Sequence, residues 1–230
     1  MTANFKSSTG GEVELGFSDL PDILPAFPLA GVLLLPRAHL PLNIFEPRYL
    51  NMVRDALERR DRLIGMIQPN DAQSGTHEPP LFKVGCAGRI VESNDTPDGR
   101  ILISLVGICR FGVAEEIEGI KGYRRIRPAW QSYRQDLAGD EDRVERPRLI
   151  AALKRYFGLH AIEADWDALD RTPSERLVSS IAMICPFDPS EKQALLEAPD
   201  LNTRAETMIA LIEMATIDPQ GEGARAPSRH

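Results

Sequence analysis

The sequence predicts an α+β protein: a small antiparallel β pseudo-barrel carrying one helix, followed by a C-terminal α-helical bundle. Three observations predict this. Residues 20–135 are strand-like, with short apolar runs cut by proline and glycine. Residues 146–218 repeat helix-start signals and apolar stripes at helical spacing. Between them, residues 136–146 (DLAGDEDRVER) are almost wholly polar, a composition shift that marks a boundary.

In chain order, residues 1–19 are polar and Gly/Ser-rich and read as a flexible tail. Prolines then punctuate residues 24–29, 32–36 and 40–45. Proline cannot donate to a ladder, so these read as short strands or extended pieces joined by turns. Pro47 suits the first position of a helix whose stripe is Tyr49, Leu50, Val53, Ala56 and Leu57. Residues 63–67 form a short buried strand, and residues 70–80 form a loop. Residues 82–92 and 100–113 pair as a hairpin across the turn Thr96-Pro97-Asp98-Gly99. A strand over 123–130 completes the sheet; short sheets bent by Gly and Pro curl into barrels.

A helix over 147–159 opens the second half. Thr172, Asp188 and Thr203 each stand three residues before a glutamate, the pattern of a capping box. They predict three further helix starts and a four- or five-helix bundle, with Leu177, Ile181 and Ile184 turned inward. The bundle leans on the sheet, since neither part is large. Residues 219–230 read as a second flexible tail.

The formal net charge of −7 argues against a general phosphate-backbone binder. Residues 121–127 (KGYRRIR) are the one compact basic run, and they read as a solvated strand face. The longest apolar run, 29–35, is far too short to span a bilayer, and residues 1–16 lack the apolar core of a secretory signal. Cys86, Cys109 and Cys185 form an odd, widely spaced set among apolar neighbours. They predict buried free thiols and a cytoplasmic setting.

Catalytic and cofactor motifs are missing. No phosphate loop, dinucleotide fingerprint, serine elbow or CxxC occurs, and the four histidines are scattered. The expectation is a protein with no enzyme activity, metal or cofactor. Phe45-Glu46-Pro47-Arg48-Tyr49 sets a carboxylate and a guanidinium between two aromatics. It reads first as an ion pair anchoring helix to barrel, and second as a ligand-contacting pair. Trp130 and Trp166 read as fillers between domains, with a binding surface as the alternative. His77-Glu78 is too small a set for a metal site. Residues 33–42 read mainly as core.

Residues 24–69 carry a specific pattern: Phe27-Pro28-Leu29, Leu35-Pro36, Pro41-Leu42, Ile44-Phe45-Glu46, Arg48-Tyr49 and Gly65-Met66. It resembles the opening of the Lon protease N-terminal domain family. Residues 85–90 and 105–111 are similar to later strands of that family, and the helical half, with Arg204, is similar to its bundle. The resemblance implies a PUA-like pseudo-barrel with a helical bundle, a module that engages substrate proteins. It implies unfolded or client proteins and peptides as partners, and a role as an adaptor beside a protease or chaperone. Candidate partner-binding or interdomain residues are Phe45, Glu46, Arg48, Tyr49 and Trp130. The alternatives are an RNA-binding PUA-like protein, which the acidic balance disfavours, and a small-molecule-binding barrel.

Overall fold

The computed structural model describes residues 15–70, 79–139 and 142–217. Six strands make one sheet: β1 (Leu24–Pro28), β2 (His39–Ile44), β3 (Leu63–Ile67), β4 (Val84–Asp95), β5 (Ile101–Ile120) and β6 (Tyr123–Ala129). Their order is β2-β5-β4-β3-β1-β6, and β6 also pairs with the far half of β5. The sheet therefore curls back onto its longest strand. It is a pseudo-barrel, because β2 remains outside the curl as an edge. All pairs are antiparallel except β1 and β3, which run parallel with α1 (Pro47–Glu58) in the connection between them, as parallel neighbours require.

Local chemistry fixes each piece. The β4–β5 turn closes when Thr96 N–H donates to Arg100 O (2.9 Å) and Gly99 N–H donates to Thr96 O (3.0 Å), with Gly99 at φ +83°. On α1 the buried stripe is Tyr49, Met52, Val53 and Ala56. Residues 32–36, expected as a short strand or an extended piece, form an irregular crossing in which Leu33, Leu34 and Leu35 are buried. Arg37 N–H donates to Gly107 O (2.7 Å), and Gly107 N–H to Ala38 O (2.9 Å). A Cβ at Gly107 would stand 2.0 Å from the Leu35 carbonyl oxygen, so only glycine admits the crossing.

A bulge at Ile108 sets the plan of the core. Cys109 pairs with Ala87 while Gly107 pairs with Gly88, so one residue is extra. Before it, Ile101, Ile103 and Leu105 bury against the helices; after it, Cys109 and Phe111 bury inside the curl with Leu24, Leu63 and Ile126. The curl is filled by these side chains.

Five helices follow: α2 (Arg146–Leu159), α3 (Trp166–Arg171), α4 (Ser174–Ile184), α5 (Pro189–Glu197) and α6 (Leu201–Ile217). Of the three expected capping boxes, one forms as drawn: Asp188 N–H donates to Glu191 (2.7 Å) at the start of α5. Thr172 instead ends α3, donating its hydroxyl to Ala168 O, and α4 begins after Pro173. Thr203 lies inside α6, where Asp200 caps by accepting from its N–H (2.7 Å). Ile184 is also corrected. It is 78% exposed, because α4 ends there and Cys185 and Phe187 take the inward places.

One core is shared by the helices and the sheet face they cover. The Met and Leu side chains at this junction, among them Leu34, Met52, Met66 and Met208, are buried. α5 is the plank between the two parts. At its N-terminal end Gln68 donates to Pro189 O (2.9 Å). In its middle Lys192 donates to Gly31 O (2.7 Å) and Gln193 to Val84 O (3.1 Å). At its C-terminal end Arg110, 3% exposed, donates to the carbonyls of Leu196, Ala198 and Pro199. The same guanidinium pairs with buried Asp136, and Asp136 also accepts from Arg110 N–H (2.8 Å). Asp136 thus leaves the polar stretch in which the sequence set it and becomes an interior ion.

The three cysteines are buried and free. Among the described residues no helix is long and apolar enough to cross a membrane. Two outcomes follow from this architecture. Asp136→Ala strands a buried guanidinium and is expected to cost about 3–5 kcal/mol in urea unfolding, while Arg110→Met with Asp136→Leu recovers most of that loss. Glu191→Ala is expected to lower stability by about 1 kcal/mol, and Thr172→Ala by much less, since only the former belongs to a closed box.

Candidate functional site

The link from β2 to α1 and the first turn of α1 together hold four of the five residues singled out from the sequence. Glu46 takes an extended conformation (φ −69°, ψ 133°) that lets Pro47 open the helix. Tyr49 is buried on the Phe27 ring, with centroids 4.3 Å apart, and its hydroxyl donates to Pro28 O (3.4 Å). Burial raises its phenol above the ordinary range. Arg48 donates to Glu46 from Nε (2.9 Å), and its guanidinium lies 4.6 Å from the Tyr49 ring centre. Their side chains remain 36% and 43% exposed, so the pair is a surface clip two residues wide. It does not anchor helix to barrel as expected; Tyr49 does that.

Trp130 lies elsewhere. Its indole N–H donates to Pro21 O (3.0 Å), and its ring meets Phe111 edge-on inside the curl cluster. Trp166 packs on Phe157 in the helical part, under Lys154. The two tryptophans therefore belong to different clusters, and Trp130 fills no gap between domains. His77 and Glu78 lie outside the described residues, and among those described no group of three or more metal-ligating side chains occurs.

The basic run on β6 is tied down, as a solvated strand face should be. Lys121 bonds Asp55 (2.5 Å), Arg124 pairs with Glu116, Arg125 donates to Glu118 O (2.9 Å), and Arg127 reaches Glu115 (3.2 Å). A hollow of about 500 Å³ lies at this hairpin, lined by residues 116–119 and 122–124. It sits on the outside of the ribbon and is bordered by the Arg124–Glu116 pair.

A different surface emerges from strand register. On the face of β2, β5 and β4 turned away from the helices, Pro41 opposes Ser104, Asn43 opposes Leu102, Glu92 opposes Ser104 and Asn94 opposes Leu102. A bulge at Val91 sets that residue beside Glu92. The alternation that buries Ile44 turns Phe45 outward. Phe45 (57% exposed), Val91 (44%) and Leu102 (44%) are three of the eight large apolar side chains left exposed among the described residues. They share the tip of one sheet face, next to the unpaired edge of β2. Of these, only Phe45 was singled out in advance. Val91 and Leu102 occupy ordinary strand positions, and their outward direction depends on the bulge.

The charges around the tip are mostly matched. Arg100 donates to Asp98 (2.7 Å), and Thr96 shares the same carboxylate. These hydrogen bonds, Arg100 first, lower the Asp98 carboxyl to about 2.

The family model for the substrate-binding domain of ATP-dependent protease La (LON) matches residues 23–214. A Lon protease from Dictyoglomus thermophilum is 24% identical over 200 residues, covering 82% of this chain and 24% of its own length. Lon protease 2 from Thermus thermophilus is 25% identical over 215 residues, covering 87% and 25%. The chain thus spans about a quarter of the length of these curated relatives. Among solved structures, a Lon N-terminal domain protein from Xanthomonas campestris superposes with a TM-score of 0.57 at 24% identity, over 82% of this chain and 97% of that one. The N-terminal domain of a Mycobacterium avium complex Lon protease gives 0.58 at 13%, over 83% and 98%. These two likenesses carry the fold.

For the tip itself, a carboxyl NMR titration is expected to place Asp98 at about 2 and to move it up toward the ordinary Asp range in Arg100→Ala. Because the folded value is depressed, the turn's tie is complete above that ordinary range. It fades as pH falls through it toward 2.

Proposed function

Because the chain belongs to the LON substrate-binding domain family, we propose that it recognises segments of other proteins and performs no chemistry on them. The single observation that carries the reading is the apolar tip: Phe45, Val91 and Leu102 exposed together on one sheet face beside an open strand edge. Exposed apolar groups gathered on one face suit a partner that supplies apolar side chains of its own. The open edge of β2 suits an extended main chain. Pro41 blunts that edge by removing one donor, which limits self-pairing between copies.

Two further features support the reading. The Cys86 and Cys109 thiols are buried, and burial pushes both up, Cys109 to about 12, so neither is a nucleophile at neutral pH. Buried free thiols also suit work in a reducing cytoplasm. On this reading the protein is an adaptor that holds unfolded or client chains for a protease or chaperone.

Fluorescence anisotropy with labelled apolar peptides and with a denatured model protein tests it. Phe45→Ser with Leu102→Ser is expected to weaken binding about tenfold with little change in melting temperature, since both side chains are exposed. If the wild-type protein binds neither the peptides nor the denatured chain, the reading is wrong.

A further inference from the structure

Leu102 has polar neighbours on both sides in its own row of the sheet. Strand register sets Asn43 of β2 and Asn94 of β4 directly opposite it, one on each side and on the same sheet face. Both are exposed, and neither side chain hydrogen-bonds to any described residue. Asparagine is disfavoured in strands, and no bond to a described residue offsets that cost here. Each amide offers both donor and acceptor. The charges at the hairpin end and the α1 start are taken up within pairs, Arg100 with Asp98 and Arg48 with Glu46. In the next row Ser104 stands between Pro41 and Glu92. The row of Leu102 is therefore apolar at its centre and uncharged but hydrogen-bonding at its flanks.

We infer that Asn43 and Asn94 hold the main chain of an extended protein segment on either side of an apolar residue seated on Leu102. This rests on the protein-binding reading above and names the class of segment: one that offers an apolar side chain between free peptide groups. The spacing fits. Two strand spacings separate the asparagines, about 10 Å, and an extended chain covers that distance in about three residues. A segment crossing β2, β5 and β4 over Leu102 thus brings one peptide group to each amide. A purely apolar surface would strip those peptide groups of water and leave them unpaired, a cost comparable to a lost hydrogen bond. The asparagines remove that cost without requiring a particular side chain, which suits unfolded chains of varied sequence. A nucleic acid has no peptide groups to offer, and its phosphates would meet the Glu92 carboxylate one row away.

The test uses a pair of labelled, uncharged peptides of one sequence with a central leucine. One is all amide. In the other, the peptide bonds between the first and second residues on either side of the leucine are esters. The exchange removes two N–H donors and weakens two acceptors at nearly constant shape. By anisotropy, the wild-type chain is expected to bind the amide peptide about tenfold more tightly than the ester peptide. In Asn43→Ala with Asn94→Ala the amide peptide weakens to about the level of the ester peptide, the ester peptide binds as before, and the melting temperature holds. Should the wild type bind both peptides equally, or the double variant keep the tenfold gap, the inference fails while peptide recognition stands. Should neither peptide bind the wild-type chain, the inference and the reading beneath it fail together.

Discussion

The fold depends on how one buried cation is satisfied. A guanidinium presents five N–H groups and is tolerated inside a protein when nearly all of them are met. Arg110 meets them with Asp136 and with three carbonyls at the end of α5. Those carbonyls have a matching need, because the last turn of a helix has no partners of its own. Strand, 3₁₀ turn and helix thus complete one another: β5 supplies the cation, residues 131–137 the anion, and α5 the acceptors. The sheet and the helices consequently share one core and one relative position.

That interaction was not legible in the sequence, for a physical reason. Arg110 occurs within a strand-like run, where a single polar residue reads as solvent-facing. Asp136 opens a stretch rich in charge, where a carboxylate reads as solvated. Nothing in local periodicity couples residues 26 apart, still less strand and helix end 86 apart. The local rules succeeded where the competition was local. The turn at 96–99, the Pro47 helix start and the buried free cysteines all stand where sequence chemistry put them. They failed at two of the helix starts. At α6, Asp200 took the role assigned to Thr203, and at α4 the helix began after Pro173 with no side-chain cap.

The candidate site was half legible for the same reason. The run from Phe45 to Tyr49 announces a helix start, and its aromatic neighbours announce packing. Which of these groups faces solvent is a matter of register. Tyr49 turns onto Phe27 and Phe45 turns away, while the Glu46–Arg48 pair clips the surface. Val91 could not be found without its bulge, because strict alternation from buried Ile90 does not say that Val91 and Glu92 will both stand beside Ser104.

The two bulges together explain why a small sheet has both a filled interior and an open face. At Ile108 the buried side of β5 switches from the helix-facing core to the inside of the curl, where the far half of the strand pairs with β6. The near half stays outside the curl, covered on one side by helices and bare on the other. At Val91 the second bulge adds a residue to that bare side. The junction between helices and sheet is packed with Leu and Met, and the cations of residues 121–127 are each tied to an acid or a carbonyl. The large apolar side chains left on that bare side are Leu102 and Val91, with Phe45 just beyond the end of β2.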